Sequence, residues 1–101
     1  MRNDDERYIL ELCRTIPEMN PRYATAEEDY GHKKADVVLE YQGRTIYLQI
    51  SHSPKSRQQQ RALLERGTHP LATHTYREQR TPDDELRSRI LDIVTAQQGG
   101  A

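Results

Sequence analysis

Residues 35–53 read ADVVLEYQGRTIYLQISHS, and the fold follows from how this stretch pairs with itself. Val37 and Leu39 alternate with Asp36, Val38 and Glu40. After Gln42-Gly43, Ile46, Leu48 and Ile50 alternate with Thr45, Tyr47, Gln49 and Ser51. That is period two on both sides of a glycine turn, the signature of a β-hairpin. A two-residue turn at Gln42-Gly43 sets Tyr41 opposite Arg44, Leu39 opposite Ile46, Val37 opposite Leu48 and Ala35 opposite Ile50. One face is then wholly apolar. A slip of one residue would bury polar groups instead, so the register is specified. The same register places Asp36 opposite Gln49, with Ser51 one step further along the polar face.

Outward from the hairpin, residues 4–17 (DDERYILELCRTIP) place Ile9, Leu12, Cys13 and Ile16 at helical spacing. Asp4, Asp5 and Glu6 suit the positive N-terminal end of such a helix, and Pro17 stops it. Residues 22–30 read as a short strand, with Glu27 and Glu28 against it. Residues 31–34, GHKK, form a loop. After the hairpin, SPKSRQQQRALLERG reads as a helix capped by Ser53, with Pro54 in its first turn and Gly67 as its stop. Residues 69–77 read as a strand. Thr81 is expected to cap a last helix, with Pro82 first, Asp83, Asp84 and Glu85 in its first turn, and Leu86, Ile90, Ile93 and Val94 as its buried stripe.

These elements predict an α/β (α+β) domain: a small three- to four-stranded mixed sheet flanked by helices, in the order α-(β)-β-β-α-β-α. The 101 residues suffice for one domain, taken as residues 1–96, and the polar, glycine-rich 97–101 read as a flexible tail. Only 34% of the chain is hydrophobic, without Trp or Phe, so the core is built from Leu, Ile, Val and Tyr. Charged residues make up 31%, yet the formal net charge is −1, so any charge-driven partner must meet a local patch. The single cysteine, Cys13, excludes an internal disulfide and reads as a buried thiol. No apolar run reaches membrane-spanning length, and the N-terminus is acidic. A cytoplasmic protein with no membrane partner is expected. His32, His52, His69 and His74 lack zinc-motif spacing, and on one strand His69 and His74 would face opposite ways.

The element order, with Asp36 in the context Ala35-Asp36-Val37-Val38 leading the hairpin, resembles the core of the PD-(D/E)XK superfamily, the restriction-endonuclease-like and Holliday-junction-resolvase-like nucleases. The resemblance spans roughly residues 4–94 and rests on element order more than on motif identity. It implies a helical acid, here Glu11 with Glu6 as rival, and a strand acid, Asp36. The next strand would supply an acid, a spacer and a lysine; Gln49-Ile50-Ser51 stands there instead. The implied catalytic set is Asp36, Gln49, Ser51, Glu11 and Lys34, with Asp36, Gln49 and Glu11 holding Mg²⁺. Such a metal activates water and stabilises the phosphate, and a cation offsets developing charge. Gln49 offers an uncharged oxygen, and Ser51 brings no cation; Lys33, Lys34 or Lys55 would have to supply one.

The helix after the hairpin carries Lys55, Arg57, Arg61 and Arg66 against Glu65, interleaved with Gln58, Gln59 and Gln60. Cations with neutral hydrogen-bonding groups suit phosphates and base edges, so Lys55, Arg57, Gln58 and Arg61 are the candidate DNA contacts. The same pattern also serves as a solvated surface. Three functions follow: a small Mg²⁺-dependent DNA nuclease, a catalytically dead binding or assembly module on the same fold, and a small regulatory protein that pairs through a sheet edge or its last helix. The thin core and the resemblance both imply a homodimer.

Overall fold

A computed structural model describes residues 3–99. The chain runs α1 (Asp4–Arg14), β1 (Met19–Tyr23), α2 (Ala26–Tyr30), β2 (Val37–Tyr41), β3 (Arg44–Ser51), α3 (Arg57–Glu65), β4 (Thr68–Ala72) and α4 (Asp83–Gly99). One mixed sheet has the strand order β1-β2-β3-β4. β1, β2 and β3 are antiparallel neighbours, and β4 joins β3 in parallel after the α3 crossover.

The hairpin register is the expected one: Val37 pairs with Leu48, Leu39 with Ile46 and Tyr41 with Arg44. Gln42 and Gly43 both take positive φ, +50° and +77°, the geometry of a two-residue type I′ turn. Val37, Leu39, Ile46, Leu48 and Ile50 enter the main core with Ile9, Leu10, Leu12 and Cys13 of α1 and Leu86, Ile90 and Val94 of α4. Ala35 departs from the expected apolar face. It joins a second cluster with Ala24 and Val38, against which Tyr47 packs. The cause is local: the ladder stops at Val37, and the Asp36 N–H bonds to the Leu48 carbonyl, one step off register.

Several boundaries differ from the sequence reading. The strand expected at 22–30 ends at Tyr23, and the acidic residues after it form α2. A reciprocal capping box starts that helix: the Glu28 N–H donates to Thr25 Oγ1, and the Thr25 N–H donates to the Glu28 carboxylate. α3 is capped by Ser56 through a second capping box with Gln59, not by Ser53, so Lys55 precedes the helix. β4 ends at Ala72, short of residue 77. α4 begins at Asp83; the Leu86 N–H reaches the Pro82 carbonyl, while the buried Thr81 hydroxyl has no partner among the described residues. α4 runs on to Gly99, into the segment assigned to a flexible tail, and residues 100–101 of that tail lie outside the described residues.

Both outer strands contain a proline, Pro21 in β1 and Pro70 in β4. Proline lacks an N–H for a ladder and is tolerated at sheet edges. Among the described residues no helix is long and apolar enough to cross a membrane.

Candidate functional site

The topology brings chemistry to one end of the sheet. β2 is antiparallel to β3, so the residues entering β2 lie beside the end of β3. β4 is parallel to β3, so both strands finish at that same end. The C-terminal ends of adjacent parallel strands are a common place for ligands to bind. Asp36, Gln49, Ser51, His52, Thr73 and His74 all fall there.

The side chains at the motif positions are bonded to backbone. Asp36 Oδ2 accepts the Ile50 N–H at 2.8 Å. Gln49 Nε2 donates to the Lys34 carbonyl at 3.0 Å, across a residue in the left-handed region with φ +56°. Ser51 Oγ donates to the Ser53 carbonyl at 2.8 Å. Lys34 Nζ donates to the Tyr30 carbonyl at 3.2 Å. Lys33 Nζ caps the end of α3, donating to the Arg66 carbonyl at 3.1 Å, and lies 4.7 Å from the Tyr47 ring centre. The Asp36 and Gln49 contacts fasten the 31–36 segment to the end of β3, and the Lys33 contact fastens it to the α3–β4 turn.

The remaining expected residues sit apart from this fastening. Glu11 is exposed on α1 and lines a groove with Arg7, Tyr8, Arg80 and Arg87. α1 packs on the main core, which Leu48 and Ile50 face; Gln49 lies between them in β3 and so belongs to the opposite face. Lys55 and Ser51 line a cleft of about 340 Å³ with Gln60, Leu71, Arg89 and Asp92. Arg57, Gln58 and Arg61 are exposed on α3. Arg66 is half-buried, its Nη1 donating to the His32 carbonyl at 3.0 Å.

A second group occupies the same end of the sheet and was not visible from motif spacing. Asp5 in the first turn of α1, His52 after β3 and His74 after β4 bring one ligand atom each within 4.8 Å of one another. His52 Nδ1 lies 3.4 Å from Asp5 Oδ2. The two imidazoles stack with centres 3.8 Å apart and planes at 22°. Beyond the strand ends the backbones stay coupled: the Thr73 N–H donates to the Ser51 carbonyl at 3.0 Å, and the His74 N–H to the His52 carbonyl at 2.9 Å. The fully buried Thr73 places its hydroxyl 2.7 Å from His74 Nδ1 and 3.3 Å from Asp5 Oδ1. The sequence signal was the His at the end of each parallel strand; reading β4 as running to residue 77 hid it.

Models of known protein families, curated proteins and solved structures were all compared with the chain, and none matches.

Proposed function

We propose that this chain is a DNA-binding module on a nuclease-like fold whose Mg²⁺-dependent phosphodiesterase site is degenerate. One observation carries the reading. Asp36, Gln49, Ser51 and Lys34, the side chains at the motif positions, each hold a backbone N–H or carbonyl, Asp36 and Gln49 across the hairpin and Ser51 and Lys34 within their own segments. A phosphodiesterase site of this kind needs hard, charged oxygen ligands for Mg²⁺ and a cation near the scissile phosphate. Gln49 and Ser51 are neutral. Losing one preorganised electrostatic contact costs roughly a hundred- to thousandfold in rate, and two such losses leave little turnover.

The element order supports the fold reading, and α3 supports the partner. Arg57, Gln58 and Arg61 lie at i, i+1 and i+4 on its exposed side, and Glu65 is the acid that follows. Guanidinium and amide groups can bond both phosphate oxygens and base edges.

Fluorescence anisotropy with duplex and branched DNA at two salt concentrations tests this, with a plasmid cleavage assay in Mg²⁺ alongside. Binding that weakens with salt is expected, with no cleavage. The Arg57→Ala, Arg61→Ala double variant should lower the salt slope by about 2, one for each lost phosphate contact. Absence of binding at low salt would overturn the DNA reading. Efficient Mg²⁺-dependent cleavage abolished by Asp36→Ala would overturn the degenerate site.

A further inference from the structure

We infer that Asp5, His52 and His74 form a binding site for a divalent first-row transition ion, with Zn²⁺ the best match. The site is separate from the Asp36–Gln49 positions and does not depend on the DNA reading.

The first support is spacing. A charge-assisted hydrogen bond between imidazolium and carboxylate closes to about 2.7–2.9 Å. His52 Nδ1 and Asp5 Oδ2 stand 3.4 Å apart, too far for that bond. Two ligands on a tetrahedral zinc, each at about 2.0–2.1 Å, are separated by about 3.3 Å. The observed gap is close to that edge, with all three ligand atoms within 4.8 Å of one another.

The second is the buried threonine. A hydroxyl has one proton, and an ionised carboxylate only accepts. Between Asp5 Oδ1 and His74 Nδ1, the Thr73 hydroxyl therefore donates to Asp5 and accepts from His74. With the Thr73 proton directed to Asp5, His74 carries its own on Nδ1 and offers the lone pair of Nε2 to a ligand. Metal-binding histidines are oriented this way, by a hydrogen bond to the ring nitrogen that does not touch the ion. Thr73 occupies one oxygen of Asp5 and leaves Oδ2, the atom facing His52, for the ion.

The third is rigidity. His52 and His74 are joined through backbone by the 2.9 Å bond between the His74 N–H and the His52 carbonyl. The spacing of the two backbones is thus set by the β3–β4 pairing, while the rings turn on their side-chain torsions. To converge on one ion the rings must swing out of their 22° stack, and their centres must separate from 3.8 Å to about 5 Å, the spacing two imidazoles take on a tetrahedral zinc.

Two imidazoles and a carboxylate select against Mg²⁺, which requires oxygen ligands and near-octahedral geometry. Three protein ligands leave a fourth position for water or an anionic oxygen, and His52 is half-exposed, so solvent reaches the site.

Calorimetric titration of the metal-free full chain with Zn²⁺ at neutral pH tests the site, with Mg²⁺ as comparison and Co²⁺ absorption as the geometric readout. We expect one Zn²⁺ per chain at micromolar affinity or tighter, no binding of millimolar Mg²⁺, and the intense visible bands of four-coordinate Co²⁺. His52→Ala and His74→Ala should each weaken Zn²⁺ about a hundredfold, and Thr73→Val about ten- to hundredfold. His32→Ala should leave it unchanged. Circular dichroism confirms that each variant is folded. No saturable Zn²⁺ binding by the wild-type chain, or binding that survives in a His52→Ala, His74→Ala double variant, overturns the site.

Discussion

The guanidinium of Arg22 in β1 grips the carboxylate of Glu28 in α2 with two parallel hydrogen bonds, Nη1 to Oε1 at 2.7 Å and Nη2 to Oε2 at 2.9 Å. The same carboxylate accepts the Thr25 N–H at 2.8 Å, so one side chain both caps α2 and ties it to the sheet. This relationship makes the α2 region sensitive to acid.

Hydrogen bonding to Arg22, and secondarily to Thr25, holds the Glu28 carboxyl at about 2 instead of its ordinary 4.5. A carboxyl with a depressed folded-state pKa contributes its full stabilisation above the ordinary value and loses it as pH falls through the folded one. Stability should therefore decline between pH 4.5 and about 2 as this clamp is protonated. Glu28→Gln should flatten that part of the curve and cost on the order of 1 kcal/mol at neutral pH, the upper end for a partly exposed pair. Urea midpoints of both proteins across the acid range provide the comparison.

Asp36 should matter more for stability than for chemistry. Its Oδ2 accepts the N–H of buried Ile50. Asp36→Ala removes that acceptor and should cost about 1–3 kcal/mol. Asp36→Asn keeps an oxygen in place and should lose much less. Chemical denaturation of the metal-free protein distinguishes this from a purely metal-binding role, in which neither substitution would lower stability.

Gln49→Glu probes the same corner. It replaces the amide that donates to the Lys34 carbonyl with an acceptor facing an acceptor. A loss of about 1 kcal/mol or more is expected at neutral pH. The introduced carboxyl is favoured in its protonated form, so acidification should restore part of the loss. Thermal melts at neutral and mildly acidic pH would reveal the recovery; equal losses at both would refute the contact.

Cys13 offers a probe of global opening. It is fully buried in the main core, and desolvation pushes its thiol up to about 12 from 9.0. The native thiol should resist alkylation, and labelling should proceed only at the rate of unfolding. The sign on stability is opposite to that of Glu28: the contribution is intact below about 9 and is lost as pH rises toward 12. A labelling rate faster than unfolding measured by circular dichroism would contradict the burial.

The hairpin and the long helices were legible because their apolar residues repeat at the period of the element they form. Val37, Leu39, Ile46 and Leu48 carry period two; Ile9, Leu12, Cys13 and Ile16 carry helical spacing. β1 was harder. Met19-Asn20-Pro21-Arg22-Tyr23 shows little alternation, because an edge strand answers mainly to its one neighbour. α2 is too short to show apolar periodicity and is marked only by the Thr25–Glu28 capping box, and α3 is preceded by two serines that could cap it, Ser53 and Ser56. The candidate site divides the same way. Gln49 sits in a strand whose register the sequence specifies, and Asp36 lies just before the partner strand, where that register breaks. Asp5, His52 and His74 come from three segments, and only the completed β3–β4 pairing sets them together.

The prolines of the outer strands bear on self-association. A foreign strand that docks against a sheet seeks an unbroken row of donors and acceptors. Pro21 interrupts that row along β1, and Pro70 interrupts it along β4. Neither margin is a good template for sheet growth, so the four-stranded sheet is guarded against fibrous stacking on both sides. A second copy of the chain would therefore join through a helical surface, where side-chain packing rather than backbone pairing sets the geometry.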